Sequence, residues 1–360
     1  MTKELEKAGY KAVVVPVEAY ISRSMAEDRN NEHIGPRTPR DIKGLLKFCM
    51  EATRNEDAPG TSSFETMPEE RKKWLEDALT SMSVSPVERM LLCVKMIQEA
   101  EEDTEDGTEQ QIKAVTELQD WGEDMDIAND FIKINGMCIV PKLLGSEVSE
   151  LRWRCLELLG TLAQNNPFVQ NKLISLKLMP ALLTLVDTDP NPTVRVKAMY
   201  AVSCLVRSNH AAQAEFVAGG GLKVLLNAVA NTEEKLRIKG TFLMTALCEH
   251  NPGLRDTLTS DGAVQLLIKL LKEKEHCNHH EHLMSALLNL VTDNAAARAL
   301  CLDETVDLKT FLCSRIRLLT NKDEFMEERE YADKLLQILN ADMESGSQQQ
   351  SASNMAVLPV

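Results

Sequence analysis

The clearest pattern in the chain is a helical stripe that is written four times. In Pro192 to Asn209 the apolar residues Val194, Ala198, Ala201 and Leu205 stand 4, 3 and 4 apart, which places them on one helix face. One further copy runs from Leu151 to Asn166, another from Leu236 to Asn251, and the last from His279 to Asn294. The closing residues Asn166, Asn209, Asn251 and Asn294 fall 43, 42 and 43 apart. A fixed period of this length predicts a helical solenoid, because each unit can bury its apolar face only against its neighbours. Each unit reads as three helices. A short one follows the marker Asn, a second starts about eleven residues after it at Gly220 and Gly262, and the third is the signature helix. Residues 110–144 read as a worn first copy, with Trp121 at the Leu205 position and Gly136 at that of Gly220.

The flanks have their own patterns. Residues 1–40 have no sustained period and hold Pro16, Gly35, Pro36 and Pro39, so they read as a disordered extension. Residues 41–66 combine a short amphipathic helix (Ile42, Leu45, Leu46, Cys49, Met50) with a flexible linker. Residues 67–109 hold two capping helices, one from Pro68 and one from Pro86, and then an acidic linker from Glu99 to Gly107. Repeats occupy 110–343 and finish in two longer amphipathic helices near 308–320 and 327–340. Residues 344–360 read as a polar tail.

Composition narrows the reading. Of 360 residues 44% are hydrophobic but only 4% aromatic, so the core must be built of Leu, Val, Ala, Met and Ile, which suits stacked helices. A net charge of −15 argues against a general nucleic-acid binder. Nine Cys are scattered singly, and Cys155, Cys204 and Cys248 sit in apolar helical runs, as small buried residues in a reducing compartment do. There is no apolar run long enough to span a membrane and no secretory pattern at the start, so the expected setting is the cytoplasm, with the nucleus open.

Numbering each signature helix from its last core leucine (Leu162, Leu205, Leu247, Leu290) separates the faces. Core residues fall at 0, −4, −7 and −11, and a second apolar line at −3 and −6. Positions −1, −5 and −8 fall within about 60° of one another and form the expected outer stripe. Position −8 is Arg154, Lys197, Lys239 and His282; −5 is Glu157, Tyr200, Phe242 and Ser285; −1 is Thr161, Cys204, Ala246 and Asn289. The first copy adds Lys113, Thr116 and Asp120. A basic row beside two rings, on an acidic protein, reads as a partner-binding surface. Position −10 (Arg152, Arg195, Arg237, His280) points elsewhere and reads as a structural row bonding carbonyls or acids of the adjoining repeat.

Catalytic and cofactor motifs are missing. Ala218-Gly-Gly-Gly221 lacks the Lys-Ser or Lys-Thr of a phosphate loop, and no Gly-x-Ser-x-Gly elbow occurs. His276, Cys277, His279 and His282 have ligand chemistry, but they cross a turn into the last signature helix and read as a helix start rather than a metal site. The expectation is a non-enzyme with no cofactor.

The three-helix unit ending Ala-x-x-Ala-hydrophobic-x-x-Leu resembles the armadillo repeat, an all-α, right-handed solenoid. Within that class the chain resembles the armadillo-type nucleotide-exchange factors of the heat-shock 70 kDa chaperones, the Hsp70-binding protein and Fes1 family. The residues that carry the resemblance are Met67 to Leu75, Glu123 to Phe131, Leu151 to Arg154, Val194 to Ala198, Ser203 to Arg207, His280 to His282 and Leu290 to Asp293. The resemblance implies a monomeric co-chaperone that grips the chaperone's nucleotide-binding domain in its concave face and promotes ADP release. It would bind neither nucleic acid nor membrane. Carried over residue by residue, that face comprises Arg154, Glu157, Lys197, Tyr200, Lys239, Phe242, His282 and Asn289, with Lys113 and Ser285 beside them. The stretch 41–52 would stand where the family carries a segment that helps eject substrate. The rival is an armadillo adaptor for nuclear import or for a ubiquitin ligase. An import groove resembles a ladder of Trp at −5 and Asn at −1, and only Asn289 fits it.

Overall fold

The computed structural model describes residues 85–101, 104–273 and 279–355. The expected extension 1–40, the amphipathic stretch 41–52 with its linker, the helix begun by Pro68, and His276 and Cys277 lie outside the described residues. The chain divides into two compact units, one up to Leu151 and one from Arg152 on.

In the first unit α1 (Pro86–Glu99) starts with a proline that has no amide hydrogen to leave unsatisfied. It packs on α2 (Glu105–Gly122) through Met90, Cys93, Val94 and Ile97. The helix α2 begins inside the stretch expected to be a loop. Thr104 caps it by accepting from the Gly107 amide, and Glu105 and Asp106 face its positive end, so these acids start a helix instead of a linker. Arg89 clasps Glu117 across the pair, with its Nη2 2.8 Å from the carboxylate. Helices α3 (Met125–Lys133) and α4 (Val140–Leu144) complete the unit, joined by a 3-10 turn over Gly136–Ile139. Trp121 is only half-buried, and Leu118 fills the core one turn earlier.

The second unit opens on α5 (Ser149–Ala163), which starts at the end of the first. Three repeats follow. They are α6 (Pro167–Ser175), α7 (Met179–Thr188) and α8 (Pro192–Val206); α9 (His210–Ala218), α10 (Gly221–Ala230) and α11 (Glu234–His250); and α12 (Pro252–Ser260), α13 (Ala263–Glu273) and α14 (His280–Val291). The last helices, α15 (Ala295–Cys301), α16 (Leu308–Leu319) and α17 (Met326–Met355), occupy the same three places. In α17 the backbone helix runs to Met355, through residues expected as a polar tail; no proline interrupts the sequence before Pro359.

Two backbone features keep the period. First, the marker asparagines are helix caps: Asn166, Asn209 and Asn294 accept from the amides of Val169, Ala212 and Ala297 at 3.3, 3.0 and 2.9 Å. Asn251 caps by position but makes no side-chain bond. Second, the turn before each second helix holds one left-handed residue: Asn135, Lys177, Gly220, Gly262 and Asp307. This corrects the alignment of the first copy by one residue. Gly136 corresponds to Gly221, since an added Cβ on either would lie within 2.6 Å of a ring, that of Phe131 or of Phe216.

A third recurring device escapes the apolar pattern. Four residues after each marker stands a donor, Gln170, Gln213, Arg255 or Arg298. Each bonds the carbonyl seven residues earlier, at Ala163, Val206, Cys248 and Val291. These are helix-end carbonyls with no partner of their own in the helix. Gln170 also reaches the Cys204 carbonyl at 3.1 Å, and Arg255 that of Thr292 at 2.9 Å, so each spans two signature helices.

Candidate functional site

Position −10 is structural, as its pattern suggests. Arg152 forms a buried bidentate pair with Asp189 at 2.9 and 3.1 Å, and Arg195 donates to the Asp189 carbonyl at 3.0 Å. Arg237 bonds the Val229 and Asn231 carbonyls and lies 2.9 Å from His279 Nε2. His280 is wholly buried beside Arg315 and Glu328, which pair at 2.6 Å.

The −8 and −5 lines lie on the accessible side of the signature helices and meet across them. Lys197 on α8 pairs with Glu157 on α5. The Lys197 ammonium also stands 5.9 Å from the ring centre of Trp153, and the Arg154 guanidinium stands 4.5 Å from the same ring. One repeat on, Lys239 of α11 sits 5.3 Å over the ring of Tyr200 of α8. So −8 of α8 and of α11 reaches −5 of the signature helix before it. Cations over aromatic faces are stabilised by the ring quadrupole, by about 0.5–1 kcal/mol where exposed.

Tyr200 is placed by what α5 lacks. Its ring lies against Gly160, where a Cβ would approach to 2.3 Å, and its hydroxyl donates to Gln164 at 3.1 Å. The ring is half-buried rather than exposed, and burial, followed by the neighbouring Cys204, pushes its hydroxyl up to about 12. Phe242 is the freer ring, 47% exposed, under the Arg207 guanidinium at 5.3 Å.

The −1 line departs from expectation. Cys204 and Ala246 are buried, and Thr161 and Asn289 are half-buried, with Asn289 donating to its own helix at the Ser285 carbonyl. Small residues there face the neighbouring helix. In their place the surface includes positions +2, where Gln164 meets Tyr200 and Arg207 meets Phe242. Seven residues separate −5 from +2, nearly two full turns, and that spacing is the sequence signal for them. At the α14 end, His282 and Ser285 are half-buried. Burial lowers the basicity of His282, and the charge of Glu327 opposes this. His279 and His282 thus turn to different neighbours, Arg237 and Glu327. Lys113 belongs to the first unit, exposed on α2 and paired with Glu109 at 2.8 Å.

Comparison with known proteins places the chain among its relatives. A family model described as the SIL1/FES1/HPBP1 C-terminal domain matches residues 127–239, and one described as nucleotide exchange factor Fes1 matches residues 42–131. Over 312 residues the chain is 36% identical to Hsp70-binding protein 1 of Mus musculus, covering 84% of this chain and 86% of that protein. The chain belongs to the SIL1/FES1/HPBP1 family. Another relative is the Hsp70 nucleotide exchange factor FES1 of Coccidioides immitis, 40% identical over 88 residues, which cover 24% of this chain and 41% of that one. Among solved structures, a designed armadillo repeat protein superposes with a TM-score of 0.55 at 18% identity, over 68% of this chain and 99% of that one. The fold of this family member is therefore an all-α, armadillo-like solenoid. Among the described residues no helix is long and apolar enough to cross a membrane.

Proposed function

We propose that this member of the SIL1/FES1/HPBP1 family is a nucleotide-exchange co-chaperone. It binds the ATPase domain of a cytoplasmic heat-shock 70 kDa chaperone, as a monomer, and promotes release of ADP. The observation that carries the reading to particular residues is the interlocked row of cations and rings on α5, α8 and α11: Lys197 with Glu157, Lys239 over Tyr200, and Arg207 over Phe242. Arg154, His282, Ser285 and Asn289 extend that row. Such a surface suits an acidic partner.

The mechanism is linkage. The chaperone cleft exchanges between a closed form that holds nucleotide and an open form that does not. A partner that binds the open form more tightly shifts the population toward it, and ADP leaves. No bond is made or broken by this chain. An import-type adaptor is disfavoured, because the −1 line that would hold its peptide-clamping asparagines has buried Cys204 and Ala246 at its centre.

The test is release of labelled ADP from the chaperone with and without the protein, together with a sizing column. Accelerated release and a one-to-one complex are expected. Unchanged release with no complex would leave an armadillo scaffold of some other function.

A further inference from the structure

The row is unevenly committed. Lys197 and Lys113 already hold carboxylates within their own units. Lys239 and Arg207 do not: among the described residues each has a ring beneath it and no ion-pair partner. Their placement is reciprocal. α8 supplies Tyr200 and Arg207, while α11 supplies Lys239 and Phe242, and each helix lays its cation over the other's ring. Both charges also act on the same buried thiol. Burial raises Cys204, while its bond to Tyr200 and then the charges of Arg207 and Lys239 pull the other way. The two cations therefore share one stretch of the α8–α11 surface, each contributed by the opposite helix.

We infer that Arg207 and Lys239 form a paired carboxylate clamp, with Phe242 as its apolar floor, and that this clamp is where the bound partner is anchored. The inference rests on the exchange-factor reading above and adds to it a residue, Arg207, on the +2 line. Tyr200 and Arg207 are seven residues apart along α8, and Lys239 and Phe242 three apart along α11, so the two cation–ring pairs are spaced by roughly 5–10 Å. The partner surface that fits presents two carboxylates at about that spacing with an apolar side chain between them. A ring held under each cation keeps the long side chains in place before binding, which reduces the ordering cost of association.

The chemistry separates charge from contact. Removing a cation weakens binding and also flattens its salt dependence, because salt screens an exposed charge pair and has little effect on apolar burial. Titration calorimetry with the chaperone ATPase domain, at about 50 mM and about 300 mM salt, reads both effects. Arg207→Gln is expected to bind about five- to tenfold more weakly at low salt and to lose part of the salt dependence. Arg207→Lys keeps the charge and stays close to the parent protein. Phe242→Ala weakens binding at both salts alike, and the exposed Lys223→Gln on α10 changes nothing. Thermal melts of each variant separate loss of binding from loss of fold. If Arg207→Gln binds like the parent while Lys239→Glu does not, the clamp is wrong and the exchange-factor reading stands. If the parent protein does not bind the ATPase domain at either salt, both fall.

Discussion

Single residues differ in what their replacement would report. Lys239 is exposed and, among the described residues, has a ring beneath it and no ion-pair partner, so Lys239→Glu is expected to lower chaperone affinity while costing no more than about 1 kcal/mol of stability. Lys197 is paired, and Lys197→Glu sets two carboxylates against each other; it is expected to lower both affinity and melting temperature. Restoring the melting temperature with Glu157→Lys in the same chain, without restoring affinity, would confirm that the pair is structural and the lysine's position functional. His282 gives a pH signature. Burial holds its ring below the ordinary value of 6.5, so the folded state favours the neutral form. The stability this confers is complete above that value and is lost as pH falls below it. Melting curves between about pH 7.5 and 5.5 should therefore drop less for His282→Gln than for the parent. At this scale the −8 and −5 lines were legible in the sequence, because charge and aromaticity have few alternatives on a helix surface. The −1 line was not, since Cys204 and Ala246 are small enough to serve either side.

The helices were the most legible scale, and the reason is the caps. Apolar spacing locates the signature helices, and the asparagine spacing measures the repeat. The capping bonds now explain why that residue recurs, and they make a graded prediction. Replacing Asn209 or Asn294 by Ala is expected to cost about 1 kcal/mol in denaturant unfolding. Asn251→Ala, with no side-chain cap bond to lose, should cost clearly less. Equal costs at the three sites would show that the bonds contribute little. Two elements were misread for physical reasons. The acids at Glu105 and Asp106 resembled a solvated loop, yet the same charges favour a helix start once Thr104 caps it. The alignment of Gly136 slipped by one because the adjoining left-handed place is taken by Asn135, which tolerates that conformation and hides the expected glycine.

For the whole molecule, the exchange activity has a thermodynamic consequence that does not depend on any one contact. If the protein weakens ADP binding by some factor, ADP must weaken protein binding by the same factor. Measuring both in one buffer tests this, and unequal factors would mean that the two ligands do not share one two-state cleft. The donors that follow each marker asparagine bear on how such work is transmitted. Gln170 ties α5 to α8, and Arg255 ties α11 to α14, each by gripping two helix ends at once. Gln213, at the same place between α8 and α11, grips Val206, and its carbonyl oxygen is buried without a partner. A device that pries must be stiffer than the thing it opens, and the outer joints carry a second grip toward that end. The joint under Tyr200, Lys239, Arg207 and Phe242 lacks it, so a lever built this way would yield first beneath its own bite, with a braced frame on either side.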